Sequence, residues 1–144
     1  MNDFEMLSKQ LIREEGLEPY AYQDSLGFWT IGIGRLIDQR KGGGLSRDEM
    51  MYLLHNDIVE HTKAVTEHLY WADPIVIGAP RFAALVNMHF QLGDNLWKFV
   101  KTLKLMEEGK WKQASQEALK SLWAQQTPKR AKRIAEQLRT NQWV

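Results

Sequence analysis

The sequence predicts an α+β fold in which most of the chain is helical and a small β-sheet lies near the N-terminus. Apolar residues recur with helical spacing in the first 15 residues and again through most of the chain beyond residue 45. Between these regions, residues 21–37 are rich in β-branched and aromatic side chains around Gly27, which is typical of a hairpin. This order favours one lobe that holds the sheet and a larger helical lobe.

The composition fits one domain that spans residues 1–144. The chain is 44% hydrophobic and 26% charged, which is enough apolar material for a sizeable core. It has no cysteine, so neither a disulfide nor a thiolate metal cluster is expected. No window reaches the roughly 18 apolar residues of a membrane span, and the start lacks the basic and apolar pattern of a signal peptide. We therefore expect a soluble chain without a membrane span or an export signal.

The first elements follow from capping and turn residues. A polar start at Asn2 precedes apolar residues at helical spacing, and Gly16 predicts the end of this first helix. Glycines weaken the second strand of the β-prone segment, so both a hairpin and a three-stranded sheet are compatible with it. Residues 38–44, "DQRKGGG", predict a loop without a stable element, because three consecutive glycines have great backbone freedom.

The longest helix is predicted to begin after this loop. Ser46 and Glu49 have the spacing of a capping box, in which each side chain binds the other residue's amide. A later helix is predicted to have Pro80 in its first turn and to end at Gly93. We place the small lobe at about 14–58, and the long helix joins it to the helical lobe.

The helical lobe is expected at about 1–13 and 59–144. In its C-terminal part, one helical segment is predicted over residues 94–109 and another over residues 110–126. Thr127 is predicted to cap a last helix with Pro128 in its first turn.

The net charge of +1 hides an asymmetry along the chain. Residues 1–93 contain 8 basic and 13 acidic side chains, whereas residues 94–144 contain 11 basic and 5 acidic ones. Such a basic region is typical of a solvated helical face or of a surface that attracts a polyanion. The basic residues are spread over several helices and accompany no binding motif, so we expect no nucleic-acid partner.

Three polar residues around the predicted hairpin are candidates for acid–base chemistry. A glycosidase needs one carboxyl group that protonates the leaving oxygen and a second that acts as base or nucleophile. Glu15 and Asp24 lie on either side of a chain reversal, and Thr30 is expected on the strand paired with Asp24. Taken alone, the same residues fit better as a helix-end surface acid, a turn residue and a strand residue, because such spacings often occur by chance.

Three separated segments add a resemblance to these candidates. "EEGLEPYAYQDSLGFWTIGIG", "ALVNMHFQLG" and "ALKSLW" with "QTPKRAKR" resemble the phage-type lysozymes and occur in the same order. The catalytic signature of that family is a Glu, eight residues, an Asp, five residues and a Thr. Glu15, Asp24 and Thr30 match it without a shift, and the following glycine selects Glu15 over Glu14. The resemblance implies a lysozyme-like fold, with a small β-hairpin lobe.

The resemblance implies a muramidase without a cofactor. Its reaction is hydrolysis of the β-1,4 bond between N-acetylmuramic acid and N-acetylglucosamine in peptidoglycan, with inversion. Glu15 is then the general acid, Asp24 holds and polarises the water, and Thr30 helps to place that water. A lytic transglycosylase and a non-catalytic cell-wall-binding module are the alternatives, although neither needs both Asp24 and Thr30.

Four further positions match substrate-contacting residues of the family. Leu36 and Phe90 match residues that contact sugar, and each is alternatively a core residue. Thr102 matches a hydroxyl that contacts substrate. Glu117 stands where the family has an asparagine, which alters that subsite.

Three other positions match supporting residues. Arg130 matches an arginine that pairs with the catalytic glutamate, here Glu15. Arg35 replaces a histidine that pairs with an aspartate of the long helix, and Asp57 matches that aspartate. We therefore predict an Arg35–Asp57 ion pair.

The resemblance also implies a biological setting. We expect a monomeric endolysin for host lysis, made in the host cytoplasm and acting on the periplasmic wall after a holin has opened the membrane. A tail-associated lysozyme is the alternative, and the span from Met1 to Val144 disfavours it because it leaves no room for structural domains. No metal is expected, since His55, His61 and His68 lack the spacing of a zinc site.

Overall fold

The computed structural model describes residues 2–144, which contain eight α-helices and one three-stranded sheet. The chain forms two compact units that divide inside the second helix, between Tyr52 and Leu53. The sheet belongs to the first unit, and the second unit is helical. The predicted α+β fold is therefore confirmed, whereas the assignment of residues 1–13 to the helical lobe stays a prediction. None of the helices in residues 2–144 is both long enough and apolar enough to cross a bilayer.

Helix α1 (Asp3–Glu15) begins with a capping box. The side chain of Asn2 accepts a hydrogen bond from the amide of Glu5 at 2.9 Å, and the Glu5 carboxylate accepts one from the Asn2 amide at 3.1 Å. The helix ends where predicted, with Gly16 as its C-cap. Glu15, the candidate acid, is therefore the last helical residue.

Three antiparallel strands follow and lie side by side in chain order: β1 (Glu18–Gln23), β2 (Trp29–Gly32) and β3 (Arg35–Leu36). Thr30 in the central strand lies opposite Tyr22 of β1 and Leu36 of β3. Of the two arrangements that the sequence left open, the three-stranded sheet is the one found.

The stretch after β3 is more ordered than predicted. Gln39–Lys41 forms one turn of 3₁₀-helix, and its N-cap Asp38 accepts a hydrogen bond from the Arg40 amide at 2.9 Å. A Cβ added at Gly43 would lie 2.5 Å from the carbonyl oxygen of Leu36, so the backbone packs tightly there. The prediction of a loop is correct for Gly42, Gly43 and Gly44, which lie in no helix or strand, and wrong for Gln39–Lys41, where the Asp38 cap stabilises one helical turn.

Helix α2 (Arg47–His68) is the longest, with 22 residues, as predicted. The Ser46 amide donates to the Glu49 carboxylate at 2.8 Å, and the Glu49 amide donates to the Ser46 hydroxyl at 3.2 Å. The capping box read from the sequence is therefore confirmed.

Six helices follow α2 in the second unit: α3 (Pro74–Ile77), α4 (Ala79–Leu92), α5 (Val100–Glu107), α6 (Trp111–Ala118), α7 (Leu122–Gln126) and α8 (Pro128–Thr140). Pro80 lies in the first turn of α4 and Gly93 ends it, as predicted. The two helical segments predicted beyond Gly93 are each divided. Residues 93–98 form a 3₁₀-helix before α5, and Ser121 caps α7 by accepting from the Ala124 amide at 3.2 Å.

The predicted cap of the last helix was wrong in its mechanism. Pro128 does begin α8, but the Thr127 side chain makes no cap hydrogen bond. Its hydroxyl donates instead to the carbonyl oxygen of Trp123 at 3.0 Å, which ties the start of α8 to α7.

The second unit has one apolar core. Its buried members come from all its helices and from the loop between α2 and α3: Val65, Leu69, Ala72, Ile77, Ala84, Leu85, Val86, Met88, Leu96, Leu103, Met106, Ala114, Ala118, Trp123, Ala124, Ala131, Ile134 and Leu138. Burial of this apolar surface is the main force that holds the short helices together.

Candidate active site

Glu15 ends α1 beside the turn that joins β2 to β3. A Cβ added at Gly34 in this turn would lie 2.7 Å from Oε2 of Glu15, so the absent side chain of Gly34 leaves space for the carboxylate. Glu14, the other candidate acid, forms an ion pair with Arg13 at 2.7 Å. The geometry of the first unit therefore leaves Glu15 as the carboxylate against the sheet.

Asp24 follows β1 and organises the turn to β2. Its Oδ1 accepts hydrogen bonds from the amides of Leu26 at 2.9 Å and Phe28 at 2.8 Å. Gly27 has a φ of +84°, which glycine adopts without strain. These bonds fix the orientation of the carboxylate and leave Oδ2 as its second acceptor.

Thr30 is buried in the central strand, with 5% of its surface exposed. Its hydroxyl donates to the carbonyl oxygen of Phe28 at 3.2 Å. A hydroxyl has one proton and two lone pairs, so this bond leaves the lone pairs of Thr30 free to accept.

The carbonyl oxygen of Phe28 connects the two residues. It accepts from the Asp24 amide at 2.8 Å and from the Thr30 hydroxyl at 3.2 Å. Tyr22, two residues before Asp24, lies opposite Thr30 in the sheet. The main chain of Asp24 and the side chain of Thr30 are therefore held by the same carbonyl oxygen.

Leu36 lies next to Thr30 on β3 and is half-buried. It is placed beside the candidate water-holding residues, and its predicted contact with sugar stays a prediction.

Arg35 has a partner that the sequence reading did not select. Its guanidinium donates to the carboxylate of Glu49, and both side chains are partly exposed. The pKa of Glu49 is lowered by the amide and hydroxyl of Ser46 and by Arg35. Asp57 lies in the other unit, and its pairing with Arg35 stays a prediction. The sequence placed Glu49 at the start of α2 through the capping box, but it did not indicate Glu49 as the partner of Arg35.

Phe90 and Arg130 line one groove in the second unit, of about 400 Å³. The Arg130 guanidinium donates to the side-chain oxygen of Asn87 at 2.7 Å and 3.0 Å and to its carbonyl oxygen at 3.2 Å. Asn87 was not singled out from the sequence. The predicted pairing of Arg130 with Glu15 stays a prediction.

Thr102 and Glu117 line a second, smaller cavity of about 210 Å³ in the same unit. Thr102 is buried in α5, and the Glu117 carboxylate in α6 lies 3.4 Å from Lys101 Nζ and 3.5 Å from Lys120 Nζ. The structure thus brings the two predicted substrate contacts together. It also adds lysines that neutralise the acid.

The histidines form no metal centre within residues 2–144, where no three metal-binding side chains come together. His61 instead contacts His89, with the two Nδ1 atoms 2.7 Å apart. His89 is buried in α4 and was not considered from the sequence.

The sequence reading also missed a buried carboxylate in the first unit. Asp38 is 6% exposed and accepts from Nε of Arg40 at 2.9 Å and from its Nη2 at 2.6 Å. The side chain of Arg40 is the main reason that the pKa of Asp38 is held well below its usual range. An acid two residues before an arginine was the available signal, but it lay in a stretch read as a loop.

Comparisons with known proteins agree with this arrangement. The family model described as phage lysozyme matches residues 12–139, a range that includes all three candidate catalytic residues. The chain is 33% identical to "Probable T4-type lysozyme 2" of Dictyostelium discoideum over 89% of its length and 90% of that protein. It is 30% identical to "Probable T4-type lysozyme 1" of the same organism, over 88% and 89%.

A third relative is a larger protein. The chain is 29% identical to the "Pre-baseplate central spike protein Gp5" of Enterobacteria phage T4, over 89% of this chain but 26% of that protein. With the helices, the sheet and the Glu15, Asp24 and Thr30 arrangement, these matches identify the chain as a member of the phage lysozyme family and a glycoside hydrolase of the lysozyme class.

Proposed function

We propose that the chain hydrolyses the β-1,4 bond between N-acetylmuramic acid and N-acetylglucosamine in bacterial peptidoglycan, with inversion at the anomeric carbon. The observation that supports this proposal is the shared carbonyl oxygen of Phe28, which accepts hydrogen bonds from the Asp24 amide and from the Thr30 hydroxyl. An inverting glycosidase needs a held water on the sugar face opposite the leaving group.

In the proposed reaction Glu15 protonates the glycosidic oxygen as the bond to the anomeric carbon breaks. The water donates one hydrogen to Oδ2 of Asp24 and the other to the hydroxyl of Thr30, so its lone pair faces the anomeric carbon. As the new bond forms, Asp24 takes the proton from the water. The cycle ends with Glu15 ionised and Asp24 protonated, and exchange with solvent restores both. Each group thus has one task, and no covalent intermediate with the protein forms.

The test is the anomeric configuration of the first product. Purified peptidoglycan is digested and followed by proton NMR within the first minutes, before the anomers equilibrate. The proposal expects a reducing muramic acid end that is initially α. A β product would mean that Asp24 acts as a nucleophile, and an anhydro sugar without a reducing end would mean transglycosylase chemistry.

Glu15→Gln and Glu14→Gln form a matched pair of variants for the acid. A carboxamide cannot protonate the leaving oxygen, so Glu15→Gln should lower kcat by about 100- to 10,000-fold. Glu14→Gln makes the same chemical change one residue earlier and should retain activity. The reverse result would show that the wrong carboxylate has been chosen.

The biological role that we propose is host lysis by a monomeric endolysin. It would be made in the host cytoplasm and reach the periplasmic wall through a pore formed by a holin. The basic region of residues 94–144 supports attraction to the carboxylates of peptidoglycan. Gram-negative cells that express the chain should lyse when chloroform opens the inner membrane and should stay intact without it. Lysis without chloroform would contradict the need for a separate pore.

A tail-associated lysozyme is the second candidate role. The observation that favours it is the likeness to the central spike protein, in which the matching region is 26% of the length. Antibodies against the chain should label purified virions if this role is correct, and only the lysate if the endolysin role is correct.

A further inference from the structure

The buried Asp38 carboxylate holds the central strand from two directions. Its Oδ2 accepts from the Trp29 amide at 3.3 Å, while its own amide donates to the Trp29 carbonyl oxygen at 3.2 Å. Trp29 immediately precedes Thr30. Asp38 therefore binds both main-chain polar groups of Trp29, the first residue of the strand that bears Thr30.

Arg40 extends this arrangement to the turn before the strand. Its guanidinium donates to both oxygens of Asp38, and Nη2 also reaches the carbonyl oxygen of Gly27 at 3.4 Å. The guanidinium carbon lies 5.1 Å from the centre of the Phe28 ring, within the range of a cation–π interaction. Arg40 thus contacts both residues at the end of the turn, Gly27 through a hydrogen bond and Phe28 through its ring.

The same two residues bind the candidate base, since the Gly27 amide donates to the Asp24 carbonyl oxygen at 2.9 Å. The Phe28 amide donates to Oδ1 of Asp24, and the Phe28 carbonyl oxygen accepts from Asp24 and Thr30. A displacement of Gly27 and Phe28 by a fraction of an ångström would move both water acceptors. Reaction rates depend steeply on displacements of this size.

We propose that Arg40, held by Asp38, is a positioning residue that fixes the turn of residues 24–28 and thereby aligns Asp24 and Thr30 with the attacking water. It touches neither substrate nor water. The inference rests on the proposed hydrolysis for its catalytic consequence, but the positioning itself is a property of the free protein. A lysine keeps the charge of Arg40 but lacks the planar fork that binds both oxygens of Asp38 while reaching Gly27.

The first experiment measures the turn directly and needs no activity. Hydrogen exchange of the Phe28 and Leu26 amides is followed by NMR in the wild type, in Arg40→Lys and in Arg47→Lys. Arg47 lies exposed in the first turn of α2 and makes none of the hydrogen bonds described for Arg40, so its variant is a matched control. Exchange of the Phe28 amide should rise about tenfold in Arg40→Lys alone, while the amide of Leu138 stays unchanged. Equal exchange in both variants would overturn the proposal.

Asp38→Asn provides an independent route to the same effect. It leaves Arg40 in place and removes the carboxylate that holds it, so the Phe28 amide should again exchange faster. If neither Arg40→Lys nor Asp38→Asn folds, the pair has a structural role alone and the proposal is rejected.

The second experiment separates positioning from stability by steady-state kinetics well below the melting temperature. Arg40→Lys should lower kcat about tenfold with KM unchanged, because the folded enzyme still binds glycan. In an Asp24→Asn background the same change should have no further effect, since water activation is already lost. An additive loss, or an unchanged kcat despite faster exchange, would refute the catalytic consequence. If the wild type cleaves no glycan, the proposed function fails, and the exchange experiment still decides whether Arg40 positions the turn.

Discussion

The two units of the chain bury different kinds of side chain. Among residues 2–52, the described part of the first unit, the buried residues are Thr30 and Asp38, which are both polar. In the second unit an apolar cluster dominates, with Leu85 and Met88 fully buried. The first unit is thus specified around its sheet by directional hydrogen bonds, whereas the second is specified by the packing of apolar surface.

This difference indicates that the geometry of the candidate site depends on the first unit and that much of the stability depends on the second. A buried polar group is stable only when it is hydrogen-bonded, and each such bond fixes a distance and an angle. All three candidate catalytic residues lie in the first unit, where small changes move functional groups. Changes in the core of the second unit remove apolar contacts and should act on the free energy of unfolding.

The largest expected effect on stability is that of Leu85→Ala in α4. Leu85 is fully buried, so its truncation should lower the free energy of unfolding by about 2–5 kcal/mol. Urea denaturation checks the value, and kcat measured below the unfolding transition should be unchanged. Leu122→Ala is the control, because Leu122 is 65% exposed. Equal losses in the two variants would break the proposed contrast between the units.

Gly34→Ala should differ from Leu85→Ala by lowering kcat as well as stability. The new Cβ would lie 2.7 Å from Oε2 of Glu15, so the acid must move, and kcat should fall about tenfold. The φ of +66° adds strain of about 1–2 kcal/mol.

Gly109→Ala in the second unit is the control for that strain. Its φ is +75°, and a Cβ there would meet nothing within 4 Å. The Gly109→Ala variant should lose a similar amount of unfolding free energy and keep the wild-type kcat. If Gly34→Ala keeps full kcat, the contact with Glu15 does not matter for catalysis.

The stability lost in Asp38→Asn should depend on pH. The pKa of Asp38 is lower in the folded protein than in the unfolded chain, mainly because of the Arg40 side chain. Its contribution is therefore present above the unfolded pKa, near 4, and is lost as the pH falls towards the folded value. The difference in melting temperature between wild type and variant should be largest near pH 7 and shrink below about pH 4. A difference that stays constant over this range would mean that the ionised carboxylate contributes nothing.

The smallest expected effect is that of the exposed ion pair between Arg35 and Glu49. A double-mutant cycle with Arg35→Ala and Glu49→Gln should give a coupling of about 0.2–1 kcal/mol that weakens in high salt. Glutamine retains an acceptor for the Ser46 amide, so the capping box is preserved. A second double-mutant cycle, with Arg35→Ala and Asp57→Ala, tests the predicted Arg35–Asp57 pair. Additive effects of these two changes would reject the pair.

Most of the fold was predictable because its helix boundaries have local causes. The start of α2 was readable from Ser46 and Glu49, and Gly93 marked the end of α4, since these residues act within one turn. The break near Phe99 was not readable, because no glycine or proline stands there and the surrounding residues all tolerate a helix. Ser121 was a usable signal, since serine favours a cap over a helix interior.

The part of the candidate site that could be predicted is the part whose residues lie close together along the chain. Glu15, Asp24 and Thr30 have a spacing that a family resemblance makes specific, and their roles remain predictions. The Asp38 and Arg40 pair was missed because it gains importance only when the sheet brings Trp29 beside it. Thr127 shows the same limit, since its hydroxyl bonds to a carbonyl of the preceding helix rather than to its own helix.

The shared acceptor at residue 28 has a consequence for how this site tolerates sequence variation. The atom that joins Asp24 to Thr30 belongs to the main chain, so no point mutation removes it. Substitution of the Phe28 ring changes only its contacts with neighbouring side chains, such as Arg40. A change of this ring therefore keeps the shared acceptor atom of Asp24 and Thr30 and loses the contact through which Arg40 supports the turn.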